Sequence, residues 1–173
     1  RPLVMINSFR DVMRGHVGEG GTSQHHHYRI DTKRKKITQA PMFGPNFDSE
    51  FPCIDSRVSC RQNNRLFMLS HTQSKPVVHN NLNEVSSFRF SSGARQTYRY
   101  PDAQIPEEHL FVSKPGNAAE TDGWGISTAL DWQNKKTLLN VFDADHVDDG
   151  PVATATLEYF LPLGLYGKFV SQT

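Results

Sequence analysis

A chain of 173 residues is the size of one domain, and its 36% hydrophobic residues allow a sizeable core. The net charge of +1 and the pI of about 8.0 give no electrostatic field strong enough for nucleic-acid binding. Mean hydropathy is −0.56 and no apolar run is long enough to cross a bilayer, so we expect no transmembrane segment. The 11 Phe and 5 Tyr residues favour strands over helices.

The N-terminal 21 residues predict a strand followed by a loop or one short helix. Phe9, Val12 and Met13 share one helical face, and Gly15 and Gly18 end that pattern early. The chain begins with Arg1 rather than Met, so the absence of a targeting peptide says nothing about its compartment.

The first predicted hairpin covers residues 24–39, with the basic run 33–36 as its turn. We interpret that run as a solvated turn; anionic lipid and a partner protein are the alternatives. His25, His26 and His27 invite a metal interpretation, but adjacent strand residues point to opposite faces, so at most two of them converge. We expect these histidines to fill a strand surface.

A second hairpin is predicted over residues 84–100, with Ser91–Gly93 as its turn. His71 and His79 lie at its edge without acidic or cysteine partners at ligand spacing, and we expect both to be solvated. Cys53 and Cys60 are seven residues apart; reduced structural thiols and a short disulfide are both open.

The C-terminal part predicts three further strands, at 122–131, 137–143 and 152–159, with a turn at Asn134–Lys136. Acidic turn residues run from Asp143 to Gly150, before the third strand. Nowhere does a helical pattern exceed about two turns. The predicted fold class is therefore all-β.

Three spaced motifs carry a family resemblance. They are Glu-Phe-Pro-x-Ile-Asp from Glu50, Glu-x-x-Phe-Val from Glu108, and Pro-x-Gly-x-Tyr-Gly ending at Gly167. In this order they resemble the C-terminal part of the carotenoid cleavage oxygenases, a family that includes retinal pigment epithelial membrane protein and lignostilbene dioxygenases. These are non-haem iron enzymes built on a seven-bladed β-propeller.

The spacing of the motifs agrees with a radial repeat. Glu50 to Glu108 and Glu108 to Tyr166 are each 58 residues, about one four-stranded blade with its connections. Residues 1–173 are thus expected to form a single C-terminal segment of the propeller. About three blades of the seven-bladed ring would be present, and a partner or a missing N-terminal part would be needed to cover the exposed edges.

The resemblance also implies roles for particular residues. Glu50 and Glu108 take the positions of carboxylates that hold iron-ligating imidazoles in the correct orientation. His109 replaces a family proline, and Tyr166 replaces the fourth iron-ligating histidine. The first three ligand positions would precede Arg1. A neutral phenol is a poor ligand for Fe(II), so we expect no metal and no catalytic residue in this chain alone.

The function implied is that of a non-catalytic carotenoid-binding or structural subunit of a larger, pigment-bearing complex. The alternative is the C-terminal piece of a split or processed dioxygenase, which cleaves carbon–carbon double bonds of carotenoids once another chain supplies histidines for Fe(II). An unrelated all-β binding module is a third interpretation. The family's usual pigments favour a plastid, and neither a nucleic-acid nor a transmembrane role is expected.

Overall fold

A computed structural model describes residues 25–44, 47–72, 82–116, 119–164 and 167–170. Within these ranges the chain forms strands and two single-turn 3₁₀ helices, Ser56–Val58 and Val147–Asp149, which confirms the all-β prediction. The strands are β1 His26–Asp31, β2 Lys36–Pro41, β3 Phe47–Cys53, β4 Arg65–Thr72, β5 Glu84–Arg89, β6 Arg95–Arg99, β7 Gln104–Pro106, β8 Leu110–Ser113, β9 Gly123–Asp131, β10 Lys136–Asp143 and β11 Pro151–Leu157. No helix in the described ranges has the length and hydropathy to cross a membrane.

The chain divides into two compact units, residues 1–49 with 71–81 and residues 50–70 with 82–173. The first unit contains the β1–β2 hairpin, which pairs in register from His26 opposite Pro41 to Asp31 opposite Lys36. Its turn is closed by Asp31 Oδ1, which accepts hydrogen bonds from the backbone N–H groups of Lys33 (3.0 Å) and Arg34 (2.9 Å). The first predicted hairpin and its basic turn are therefore confirmed.

A four-stranded sheet has the order β3-β4-β5-β6, in which β4–β5 and β5–β6 are antiparallel. The β5–β6 pair is the second predicted hairpin, which is confirmed. The prediction of a solvated His71 is wrong, because this side chain is 4% exposed. β4 is an inner strand buried on both faces, so a polar residue in this strand is not exposed to solvent merely because it is polar. The corresponding prediction for His79 lies outside the described residues.

The second unit also contains a five-stranded sheet ordered β11-β10-β9-β7, in which β8 pairs with β9 as well. β9, β10 and β11 are the three predicted C-terminal strands. β7 pairs Pro106 with Ala129, and β8 pairs Leu110 with Ile126. Both short strands therefore run along the same edge of β9, and residues 107–109 interrupt that edge between them.

The core of the second unit joins residues from both sheets: Phe67, Val85, Tyr100, Ala129, Phe142, Ala144 and Val147. Beside this core, Asp145 accepts hydrogen bonds from the guanidinium groups of Arg65 and Arg89. Burial lowers the pKa of Arg65 and the charge of Arg89 lowers it further, whereas Asp145 raises it. Asp145, from the acidic stretch noted in the sequence, thus compensates the positive charges of β4 and β5.

β7 and β8 are short strands that the sequence patterns do not predict. Cys53 and Cys60 are free thiols. The strand and short helix expected in residues 1–21 lie outside the described residues, and the single-segment domain assignment stays a prediction.

Candidate functional site

The three-residue interruption between β7 and β8 carries Glu108, the glutamate of the second motif, and its neighbour Glu107. The backbone of Glu107 is fixed to β9: its N–H donates to Thr128 O (2.9 Å), and its carbonyl accepts from Ser127 Oγ (3.0 Å). Thr128 Oγ1 also donates to the Glu107 carboxylate. The chain then leaves the sheet edge at Glu108 and rejoins it at Leu110.

Glu107 and Glu108 bind the backbone of the third motif. Gly164 N–H donates to Glu107 Oε1 at 2.7 Å, and Gly167 N–H donates to Glu108 Oε2 at 3.1 Å. Hydrogen bonds to an ionised acceptor are stronger than neutral ones. Two adjacent carboxylates therefore hold the two glycines that bracket positions 165 and 166 in the sequence.

A cleft of about 460 Å³ lies beside these hydrogen bonds. Its walls are mainly apolar and include Leu110, Ile126, Leu139 and Phe169, while Glu107, Glu108, Ser127, Thr128, Gly164, Gly167 and Lys168 complete the lining. A mostly apolar cavity with a few convergent polar groups is the usual form of a small-molecule site.

The first motif reaches the same region through Cys53. Burial raises the pKa of the Cys53 thiol, a backbone contact with Phe111 lowers it, and the charge of Glu108 raises it further. Glu50, three residues earlier on β3, has an exposed side chain. The first motif therefore lies near the backbone of β8 at Cys53, and the role of Glu50 as a support for an imidazole stays a prediction.

His109 fills a position beneath Glu108 in the core. Its side chain is 3% exposed, and Nε2 lies 2.9 Å from Tyr100 Oη. Burial lowers the pKa of His109 to about 3, so the ring is neutral at pH 7. The Glu107 carbonyl acts on the ring in the opposite direction, although its geometry falls short of a hydrogen bond.

Tyr166, which the family resemblance places at the fourth ligand position, lies outside the described residues, and that assignment stays a prediction. Within the described ranges no group of three His, Cys, Asp or Glu side chains is arranged to hold a metal ion. The expectation that this chain alone holds no iron is not tested by that observation, because the implied ligands would come from elsewhere.

Comparison with known proteins identifies the class. The family model of retinal pigment epithelial membrane protein, RPE65, matches residues 5–171. The chain therefore belongs to this family, the carotenoid cleavage oxygenases.

Individual relatives agree with the family match. Isoeugenol monooxygenase of Pseudomonas nitroreducens is 26% identical over 134 residues, which are 73% of this chain and 28% of the relative. Apocarotenoid-15,15'-oxygenase of Synechocystis is 31% identical over 62 residues, which are 36% of this chain and 13% of the relative. The chain thus spans less than a third of the curated relatives it matches.

Solved structures define the fold. Cobalt-substituted apocarotenoid oxygenase of Synechocystis superposes with a TM-score of 0.79 at 21% identity, covering 87% of this chain and 31% of that one. A chimera of that enzyme with RPE65 gives a TM-score of 0.75 at 19% identity, covering 83% of this chain and 29% of that one. The chain therefore has the fold of part of a seven-bladed β-propeller, as the family resemblance implied.

The sequence did not reveal the role of Glu107, Thr128 or Tyr100 at this site. A signal for Glu107 was present, since successive extended residues point in opposite directions and two adjacent acids can bind two different groups. Tyr100 carries no local signal, because its partnership with His109 depends on packing between the two sheets.

Proposed function

We propose that this chain forms the part of a carotenoid-oxygenase-like propeller that borders an apolar ligand, and that its own residues do not support iron-dependent cleavage. The observation that carries the proposal is the cleft beside Glu107 and Glu108, with its apolar walls and its edge at Gly164 and Gly167. The relatives' names, which specify an apocarotenoid and isoeugenol, support a largely apolar ligand. A carotenoid or a related alkene-bearing molecule fits that chemistry.

The donor groups of this chain do not fit a ferrous centre by themselves. The described residues offer no group of three metal-binding side chains, and the residue that the family resemblance assigns to the ligand position is Tyr166, a phenol. A neutral phenol with a pKa near 10 binds Fe(II) poorly, whereas imidazole is a suitable ligand. Iron at this site would therefore need imidazoles supplied by residues outside those described.

The alternative proposal is that the chain is the C-terminal piece of an Fe(II)-dependent dioxygenase that cleaves carotenoids or apocarotenoids. The retained Glu108 favours it, because its carboxylate binds the segment that contains the ligand position. In that case Glu108 would orient backbone or imidazole groups around the metal, and the apolar cleft would hold the substrate. The metal would supply the activation of dioxygen.

Both proposals include a surface of this chain that contacts further protein. Large apolar side chains of the C-terminal segment are exposed, among them Tyr159, Phe160, Leu163 and Phe169. Large exposed apolar patches mark interaction sites. We propose that further blades of the same propeller cover them, on this polypeptide or on a second one; a pigment–protein complex is the wider assembly this would permit.

Iron content and bound ligand separate the two proposals. Protein isolated from its native source should contain an extractable apolar ligand and substoichiometric iron, measured by solvent extraction and by plasma mass spectrometry. Tyr166→His in the 173-residue chain should not confer iron binding, since one imidazole does not form a centre. Tyr159→His, at an exposed position outside the motif, is the matched control.

Stoichiometric iron in the native protein, with cleavage of an added apocarotenoid, would favour the dioxygenase. Tight iron binding by the isolated Tyr166→His chain, absent from the control variant, would show that its own residues suffice and would contradict the main proposal.

A further inference from the structure

The loop that carries Glu108 is fixed differently at its two ends. On the N-terminal side, Glu107 is bound to β9 through the backbone and hydroxyl contacts of Ser127 and Thr128. Glu108 itself reaches across to Gly167 N–H, 3.1 Å away. The position of its carboxylate therefore depends on what restrains the backbone at His109.

His109 is restrained by the other sheet. Its Nε2 is 2.9 Å from Tyr100 Oη, and its ring centroid is 6.0 Å from that of Tyr100 and 5.6 Å from that of Phe142. Among the described residues, Nδ1 has no hydrogen-bond partner, and Nε2 is held by the Tyr100 hydroxyl.

Tyr100 is itself firmly placed. It directly follows β6, its backbone N–H donates to Asn83 O at 2.9 Å, and its ring packs edge-on against Tyr98 at 5.2 Å. The side chain is 2% exposed, and burial raises its pKa above the ordinary value, so the hydroxyl keeps its proton. A hydrogen bond between a neutral phenol and a neutral imidazole forms a buried pair without a charge to compensate.

We propose that Tyr100 and His109 are a positioning pair, which joins the two sheets and holds the 107–109 loop so that the Glu108 carboxylate meets the amide of Gly167. A proline at position 109 would restrict the backbone through its own ring. A histidine does so through its contacts alone, which makes Tyr100 necessary. Neither residue lines the cleft, whereas Glu108 does, so both residues act on the cleft through Glu108.

Site-resolved amide hydrogen exchange of the full protein tests this inference. Tyr100→Phe removes one hydroxyl and keeps the ring. Exchange at Gly167 should accelerate about fivefold, the equilibrium factor of one typical buried hydrogen bond. The control amides are those of Asn64 and Arg65, which donate to a different carboxylate, Glu120, at 2.6 and 2.9 Å. Their exchange should stay unchanged.

A second pair of variants keeps the test valid if Tyr100→Phe fails to fold. His109→Gln places an amide oxygen near the original Nε2 and should preserve slow exchange at Gly167. His109→Leu should accelerate it as Tyr100→Phe does. Unchanged exchange at Gly167 in Tyr100→Phe or His109→Leu, or an equal acceleration at Asn64 and Arg65, would overturn the inference.

The inference rests on the proposed role of Glu108 at the site, but the measurement follows the loop and not ligand or iron binding. A protein without bound ligand would contradict the proposed function and leave the exchange result intact. Exchange at Gly167 that is unchanged, or that accelerates equally with exchange at Asn64 and Arg65, would contradict the positioning pair and leave the proposed function intact.

Discussion

His109 shows how burial decides the chemistry of a single side chain. An imidazole has an ordinary pKa near 6.5, yet this ring lies in the core against Tyr100 and Phe142, where a positive charge would lack solvation. Its pKa is accordingly lowered to about 3. The residue next to the predicted site carboxylate is therefore a neutral packing and hydrogen-bonding group over the physiological range.

This shift predicts a pH dependence of stability. Between pH 6.5 and about 3 the unfolded chain binds a proton at His109 that the folded protein does not bind. The free energy of unfolding therefore decreases as pH falls through this window, by about 2 kcal/mol from pH 7 to pH 5. Urea unfolding of the wild type and of His109→Gln at both pH values measures the effect.

Since Gln does not titrate, His109→Gln should lose about 2 kcal/mol less stability than the wild type between the two pH values. The subtraction removes the contribution of carboxylates such as Asp131 and Asp143, whose lowered pKa values cost stability at more acid pH. Equal pH dependence of the two proteins would show that His109 titrates normally in the folded state.

The residues of the site were only partly predictable. Glu108 was found because it lies in a motif, and its contact with Gly167 links the second motif to the third. Glu107 was missed because the motif assigns a role to one carboxylate, while the structure uses both. His109 was recognised only as a departure from proline, since burial and a partner in another sheet leave no trace in the local sequence.

Among the elements, β8 and β9 approach each other unusually closely at Gly123. A Cβ atom there would lie 2.5 Å from Phe111 Cζ and 2.6 Å from the carbonyl oxygen of Val112. Both distances are below any van der Waals contact, and one partner belongs to the main chain. Glycine at this position is therefore what allows β8 to pair with the start of β9.

Gly123→Ala should destabilise the protein by about 3 kcal/mol, the upper part of the range for overpacked sites, because the strands must separate. Gly125→Ala is the matched control on the same face of β9, where the added Cβ would lie 3.7 Å from Phe142 Cβ, an ordinary contact. Its effect should be below about 1 kcal/mol. Thermal and urea unfolding of both variants provide the comparison; equal losses would contradict the close-approach argument.

Long local elements were predictable and short non-local ones were not. The hairpins at β1–β2 and β9–β10 join neighbouring strands of six or more residues, and both turns begin with an aspartate, Asp31 or Asp131, that accepts backbone hydrogen bonds. β7 and β8 have three and four residues, and β7 ends in Pro106. Their existence depends on pairing with β9, in which Gln104 lies opposite Asp131 and Leu110 opposite Ile126, and a short sequence window does not reveal this pairing.

At the scale of the whole molecule, the exposed C-terminal apolar side chains predict a covered surface. Tyr159, Phe160 and Phe169 are 60%, 56% and 53% exposed in this chain. Hydroxyl-radical footprinting of protein from its native source, normalised to the denatured protein, should label them as weakly as Phe142, which is 1% exposed. Covering blades would exclude solvent from all three.

Trp132, 45% exposed and located in the β9–β10 turn, is the matched control and should remain labelled. If Tyr159, Phe160 and Phe169 are labelled to the same normalised extent as Trp132, further blades do not cover this surface.

The propeller as a whole was predictable from widely spaced motifs rather than from strand patterns. The 58-residue spacing of Glu50, Glu108 and Tyr166 implied one blade per motif, and the family match and superposed structures confirm the fold. Strand patterns alone indicated only an all-β chain. The proposed departure from the family at Tyr166 concerns the chemistry of one side chain, which a backbone superposition does not test.

The close approach at Gly123 also limits how this protein can vary. The ring of Phe111 could shrink through substitution and make room, but the carbonyl oxygen of Val112 is present whatever amino acid occupies position 112. A compensating change elsewhere in β8 would therefore relieve only part of the crowding. Position 123 should stay glycine along any mutational route that preserves the β8–β9 pairing, and a lineage that loses this glycine would have to rebuild the sheet edge beside the cleft.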